Sequence, residues 1–232
     1  MGRLGENYEF ILHPLSFILP SPLTPHPSPL VNMRSFWSEP ILWIHLAGLA
    51  TLPIFLAICL LGLAVGDPVL PVWLEFFLVA AIGVVPVLWV QLRQPFSIFA
   101  IIGLAQKPEQ LSEQQRKILS RINTGTNRLL ALIAAIFLMV VLWQIYLVAP
   151  IAATVCPPPT WRWVGLLIAG LAFLASNIFL QIPVSVARVF VTSETEFAAT
   201  KPYPLERISK DFTIVGLQVN QILPQLNPTV KP

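Results

Sequence analysis

Charge is what this chain has least of. Of its 232 residues, 14 are Lys or Arg and 11 are Asp or Glu, so only 11% are charged. A soluble domain averages about 25%, and this supply is too small to coat a globule of the same length. The apolar residues make up 56% of the chain and come in long blocks, with a mean hydropathy of +0.75. That is the composition of an integral membrane protein with the lipid bilayer as its solvent. Cysteine is scarce too. Cys59 falls inside the first apolar run and Cys156 in a loop beyond the third. A bond between mid-bilayer and a surface loop is geometrically disfavoured, so the expectation is two unpaired thiols. The net charge of +3 comes from dispersed basic residues without a dense patch, which excludes nucleic acid as a partner. Catalytic signatures are missing as well: the chain contains no H-E-x-x-H, G-x-S-x-G, P-loop or Cys/His metal spacing. The expectation is a non-enzymatic protein with no catalytic residues, no metal and no required cofactor.

What is present is a series of long apolar runs. Residues 1–32 stand apart from them, with Pro14, Pro20, Pro22, Pro25, Pro27 and Pro29 crowding a Leu/Ser/His stretch. No helix survives that density of proline. The composition changes at Met33, so 1–32 reads as disordered or as an extension upstream of the true start. Four spans follow, at about 41–65, 69–92, 129–151 and 164–187. At ~1.5 Å per residue the first is about 37 Å long, enough to cross with some tilt. Ser38 or Glu39 can cap it, Pro53 bends it, and Gly66-Asp67-Pro68 ends it. Gly83 and Pro86 predict a kink in the second. Phe96 to Ala105 is too short to span and reads as an interfacial piece. Ser112 with Gln115 fits a capping box, opening a short amphipathic helix striped by Leu111, Ile118, Leu119 and Ile122. Residues 192–232 form a tail. In it Ile208, Phe212, Val215, Val219, Ile222 and Leu226 recur at helical spacing, which predicts a second amphipathic helix over Leu205 to Leu223.

The fourth span is unusual. Asn177, Gln181, Ser185 and Arg188 follow at spacings of four, four and three, which puts them on one helix face. Gly165, Ala169, Ala172 and Ser176 make a second stripe of small residues. Polar atoms are costly in lipid unless a neighbouring helix satisfies them. This span is therefore expected at the packing centre of the bundle, with Arg188 marking where it leaves the membrane.

Basic residues sort by side. The first hairpin turn has none, and the loop before the fourth span has only Arg162. Arg93, Lys107, Arg116, Lys117, Arg121 and Arg128 crowd the central loop, while Lys201, Arg207 and Lys210 lie in the tail. The positive-inside rule then makes both termini and the central loop cytoplasmic. Trp37, Trp43, Trp73, Trp89, Trp143, Trp161 and Trp163 all fall near span ends, as interfacial residues do. The fold class that follows is an all-α membrane protein with four transmembrane helices and short amphipathic cytoplasmic helices.

The opening M-R-S-F-W-S-E-P-I-L-W-I-H-L-A-G-L, the A-V-G-D-P-x-L-P-V-W-L-E hairpin and the K-P-E-Q-L-S-E-Q-Q-R loop resemble a cyanobacterial family, the low-complexity tail membrane proteins. The resemblance covers roughly Met33 to Arg188. It implies Met33 as the start and a cyanobacterial thylakoid or plasma membrane as the location. The tail here is short and only mildly biased, a departure from the family's name.

A few residues invite a functional reading. His45, early in the first span, could ligate a pigment magnesium; a single interfacial histidine bonded to protein or headgroup is the simpler alternative. Glu75, the acid inside a span, could serve a proton or cation, or could reach interfacial water beside Trp73. Asn177, Gln181 and Ser185 could line a pore, or could fix how the helices pack. The leading expectation is a protein that binds or helps assemble other membrane proteins. A small transporter or channel subunit and a pigment-binding protein are the alternatives.

Overall fold

A computed structural model describes residues 35–101, 103–154 and 161–223. The expectations for residues 1–32, for Cys156 and for Leu226 fall outside these stretches. Four helical segments are long and apolar enough to cross a bilayer: Pro40–Ala64, Val72–Arg93, Gly125–Ala152 and Arg162–Val191. They coincide with the four expected runs to within a few residues.

The first span is built from α1 (Pro40–Ala47), a 3-10 turn (Gly48–Thr51) and α2 (Leu52–Ala64). Pro40 opens α1 in its first turn, where no amide proton is needed. The disturbance expected at Pro53 is this 3-10 turn, since a proline weakens the helix on its N-terminal side. Glu39 occupies the N-cap but its side chain does not cap. Its Oε2 accepts from Gln115 Nε2 at 3.3 Å instead. Burial pushes the Glu39 carboxyl above its ordinary range, and the Gln115 hydrogen bond opposes that shift. Gly66, at φ +64, turns the chain out of the first span.

The second span, α3 (Val72–Arg93), runs on through Pro86 as a single helix. After it comes α4 (Glu113–Ile122), which carries the expected capping box between Ser112 and Gln115. Its buried residues are Ile118, Leu119 and Ile122. Thr124 caps α5 (Gly125–Ala152), its hydroxyl accepting from Asn127 N at 3.4 Å. The fourth span, α6 (Arg162–Val191), has the most buried face of the four.

One expectation is refined here and another corrected. Phe96 to Ala105, expected as a short interfacial piece, is not helical. It supplies β1 (Ala100–Ile101) and β2 (Leu104–Gln106), an antiparallel hairpin turning through Gly103 at φ +77. Leu205 to Leu223 is not one helix either. After α7 (Glu194–Ala199), helix α8 covers only Leu205–Asp211; beyond Gly216, at φ +120, the chain forms β3 (Leu217–Val219), parallel to β2. A Cβ on Gly216 would lie 2.2 Å from the Gly103 carbonyl, so only glycine allows this approach. The helical spacing of Val215 and Val219 was coincidental: a glycine at positive φ ends that periodicity before β3 begins. The protein is mostly helical, with a three-stranded sheet, in the order β1-β2-β3, added at one end.

The core is divided in two. The bundle core holds Cys59, Leu63, Val79, Leu138, Leu142, Leu166 and Phe173 among others. A second core joins Phe36 and Leu42 to Ile98, Phe99, Ile118, Leu119, Ile122, Val189, Phe197, Ile208 and Phe212. The amphipathic pieces therefore do not lie loose on the membrane. They pack on one another and on the ends of α1 and α6, forming a folded cap.

Candidate functional site

The largest polar assembly inside the spans lies at the end of the bundle away from the cap. Glu75 sits in the first turn of α3 and is fully buried. Arg162, the first residue of α6, pairs with it in a buried ion pair. The guanidinium Nε approaches both carboxylate oxygens, at 3.1 and 3.2 Å, and Nη2 donates to Oε2. Tyr146 of α5 donates to Oε2 at 3.0 Å. The backbone amides of Val69 and Leu70 donate to Oε1 at 3.2 and 3.4 Å. Arg162 Nη1 turns the other way and donates to Leu63 O at 2.6 Å and Val65 O at 2.9 Å, with Gly66 O at 3.5 Å. Those carbonyls end the first span, whose last turn would otherwise leave them unmatched. One ion pair thus ties all four spans together. The expected access of Glu75 to interfacial water is replaced by a set of protein donors.

Sequence reasoning named Glu75 but missed Arg162 as its partner, treating it as a loop residue. One signal was available: the acid inside the second span and the lone base near that membrane face belong to different spans, and opposite charges in lipid find each other.

A second assembly follows the polar face of α6. Asn177 Nδ2 donates to Gly83 O at 3.0 Å, and Gln181 Nε2 to Ala131 O at 2.9 Å. Asn127 Nδ2 donates to Ser185 Oγ at 3.1 Å, and Ser185 Oγ to Gln181 O at 3.1 Å. Asn177, Gln181 and Ser185 are all buried, bridging α6 to α3 and α5. The amide oxygens of Gln91, Asn127, Asn177 and Gln181 are buried and meet no partner among the described residues. Beside this ladder the glycines allow close approaches between helices. A Cβ on Gly165 would lie 2.5 Å from Gly62 O, and one on Gly83 would lie 2.3 Å from the Phe173 ring.

His45 stands apart from both assemblies. Its Nε2 lies 2.6 Å from Ile98 O. A carbonyl only accepts, so Nε2 carries the proton, and in this tautomer that nitrogen is no metal ligand. Among the described residues, no group of three His, Cys, Asp or Glu is placed to hold a metal ion. Glu75 and His45 lie at opposite ends of the first hairpin, so they do not share a site.

No curated protein and no solved structure matches the chain. The family model of low-complexity tail membrane protein-like sequences matches residues 38–224, which takes in every span, both polar assemblies and the cap. With that coverage, and with four bilayer-length helices in place, the chain belongs to the low-complexity tail membrane protein-like family.

Proposed function

We infer that this chain is a non-enzymatic integral membrane protein that binds other membrane proteins or helps them assemble. The membrane we assign is the thylakoid or plasma membrane of a cyanobacterium, with both termini on the cytoplasmic side. One observation carries the reading. Glu75, the only acid inside the spans, is occupied by Arg162, Tyr146 and two backbone amides. A carboxylate held that way maintains a scaffold and is poorly placed to cycle a proton. What the spans leave outward is apolar, including Phe77, Phe137, Leu147 and Leu171, a surface that suits lipid or another helix. Co-purification of tagged protein from native membranes tests the reading. Stable companions under gentle solubilisation are expected, and a protein that migrates alone overturns it.

Transport is the second reading, and the four unpaired amide oxygens in the bundle favour it, because such atoms can hold water or a cation. Flux in liposomes separates the two. A flux that falls with Asn177→Leu would establish transport; no flux in the wild type leaves the binding role. Pigment binding at His45 has a direct check, since protein purified colourless from its native host removes it.

A further inference from the structure

We propose that the cap end of the bundle carries a binding site for the phosphate headgroup of an anionic lipid, formed by Arg121 and Arg188. The two arginines line an open cleft of about 460 Å³ with Leu130, Val184, Val191 and Glu196. Arg188 lies in the last turn of α6. Its Nε is buried without a hydrogen-bond partner, and among the described residues no acceptor meets its guanidinium. Arg121 belongs to the last turn of α4. It pairs with Glu196 through Nη2, yet its Nε is likewise buried and unpaired. Two cations against one carboxylate leave the cleft net positive, with N–H donors that none of the described residues satisfies. An unmatched buried donor is costly, and a phosphodiester supplies acceptors in the planar arrangement that guanidinium groups prefer.

The walls choose between a lipid and a free anion. Leu130 and Val184 lie inside their spans, and Val191 at the end of α6 is 82% exposed. The apolar wall runs on into the outer surface of α5 through the exposed Ile133. A ligand with its phosphate on the arginines would lay an acyl chain along that surface. The position suits this, because basic pockets at the ends of spans are where anionic headgroups collect.

Native mass spectrometry of the full chain, exchanged against vesicles of phosphatidylglycerol or phosphatidylcholine, tests the site. The wild type is expected to retain phosphatidylglycerol at least about tenfold better than phosphatidylcholine, the scale of one charge-assisted hydrogen bond. Arg188→Gln should abolish that preference. Glu196→Gln should strengthen it, because it frees Arg121; a merely structural ion pair would give no gain. Should Arg188→Gln fail to fold, Ala187→Trp fills the cleft while keeping both arginines, and should also abolish the preference. Equal retention of the two lipids overturns the proposal, as does an unchanged preference in whichever of these two variants folds. Displacement of phosphatidylglycerol by an equal concentration of inorganic phosphate also overturns it, since the site would then take a free anion.

Discussion

Arg162 divides its donors between two tasks, neutralising Glu75 and ending the first span. Removing one member of a buried pair strands the other, at a cost of about 3–5 kcal/mol. Arg162→Leu and Glu75→Leu alone are each expected to destabilise by that amount. The double variant should cost less than the sum, because no charge is left stranded. Thermal melts in detergent, read as a double-mutant cycle, check this. A second residue, Tyr203, sets a pH limit on the cap. Burial pushes its phenol above the ordinary value, and the hydrogen bond to Asp211 adds to the shift. The folded state then holds the proton more tightly than the unfolded chain. The contribution is complete below about pH 10, the ordinary tyrosine value, and is lost as pH rises through the folded value. Melting temperature should therefore fall above about pH 10, and less steeply in Tyr203→Phe.

Between elements, glycines decide what can approach. The crossing of α2 and α6 is a backbone contact at Gly62 and Gly165. Gly165→Ile places side-chain atoms where the Gly62 carbonyl now sits, and the cost should be at least about 1–3 kcal/mol. Loss of the folded bundle in size-exclusion profiles would report it. Gly216 plays the same part for the sheet. Gly216→Ala meets both a forbidden φ and the Gly103 carbonyl, so β3 should detach while the spans persist. Hydrogen exchange at Leu217, whose amide donates to Gly103 O at 2.7 Å, is the measurement.

The elements differ in how far the sequence announced them. Spans and α4 were legible, since a long apolar run and a capping box are local signals. The small stripe of α6 was legible as a contact face, and at Gly165 and Ala169 its partner proved to be α2. The sheet was not. Its strands are two or three residues long, and β2 meets β3 across more than a hundred residues of chain, as in Ala105 to Gln218. No periodicity develops over so few positions. Partners were equally hidden at the ion pair: Glu75 was conspicuous, but nothing local tied it to Arg162.

For the molecule as a whole, two cores imply two melting units joined through the ends of α1 and α6. Phe212, 2% exposed, packs edge-on to Tyr203 in the cap core. Phe212→Ala should cost about 3–5 kcal/mol, and the loss should fall on the cap. Exchange is expected to rise across Ile118 to Ile122 while Leu138 and Leu142 in the bundle stay protected. Uniform loss across both would mean that cap and bundle unfold together.

The placing of Arg162 also bears on biosynthesis. Spans enter the bilayer in order from the ribosome, and the cation that matches Glu75 is the first residue of the last one. Until it emerges, the earlier spans hold an unmatched acid and a frayed helix end, a state that quality-control proteases can recognise. Chains stalled before Arg162 should therefore turn over faster than full-length ones in a pulse-chase, and arrival of the fourth span becomes the step that commits the protein to the membrane.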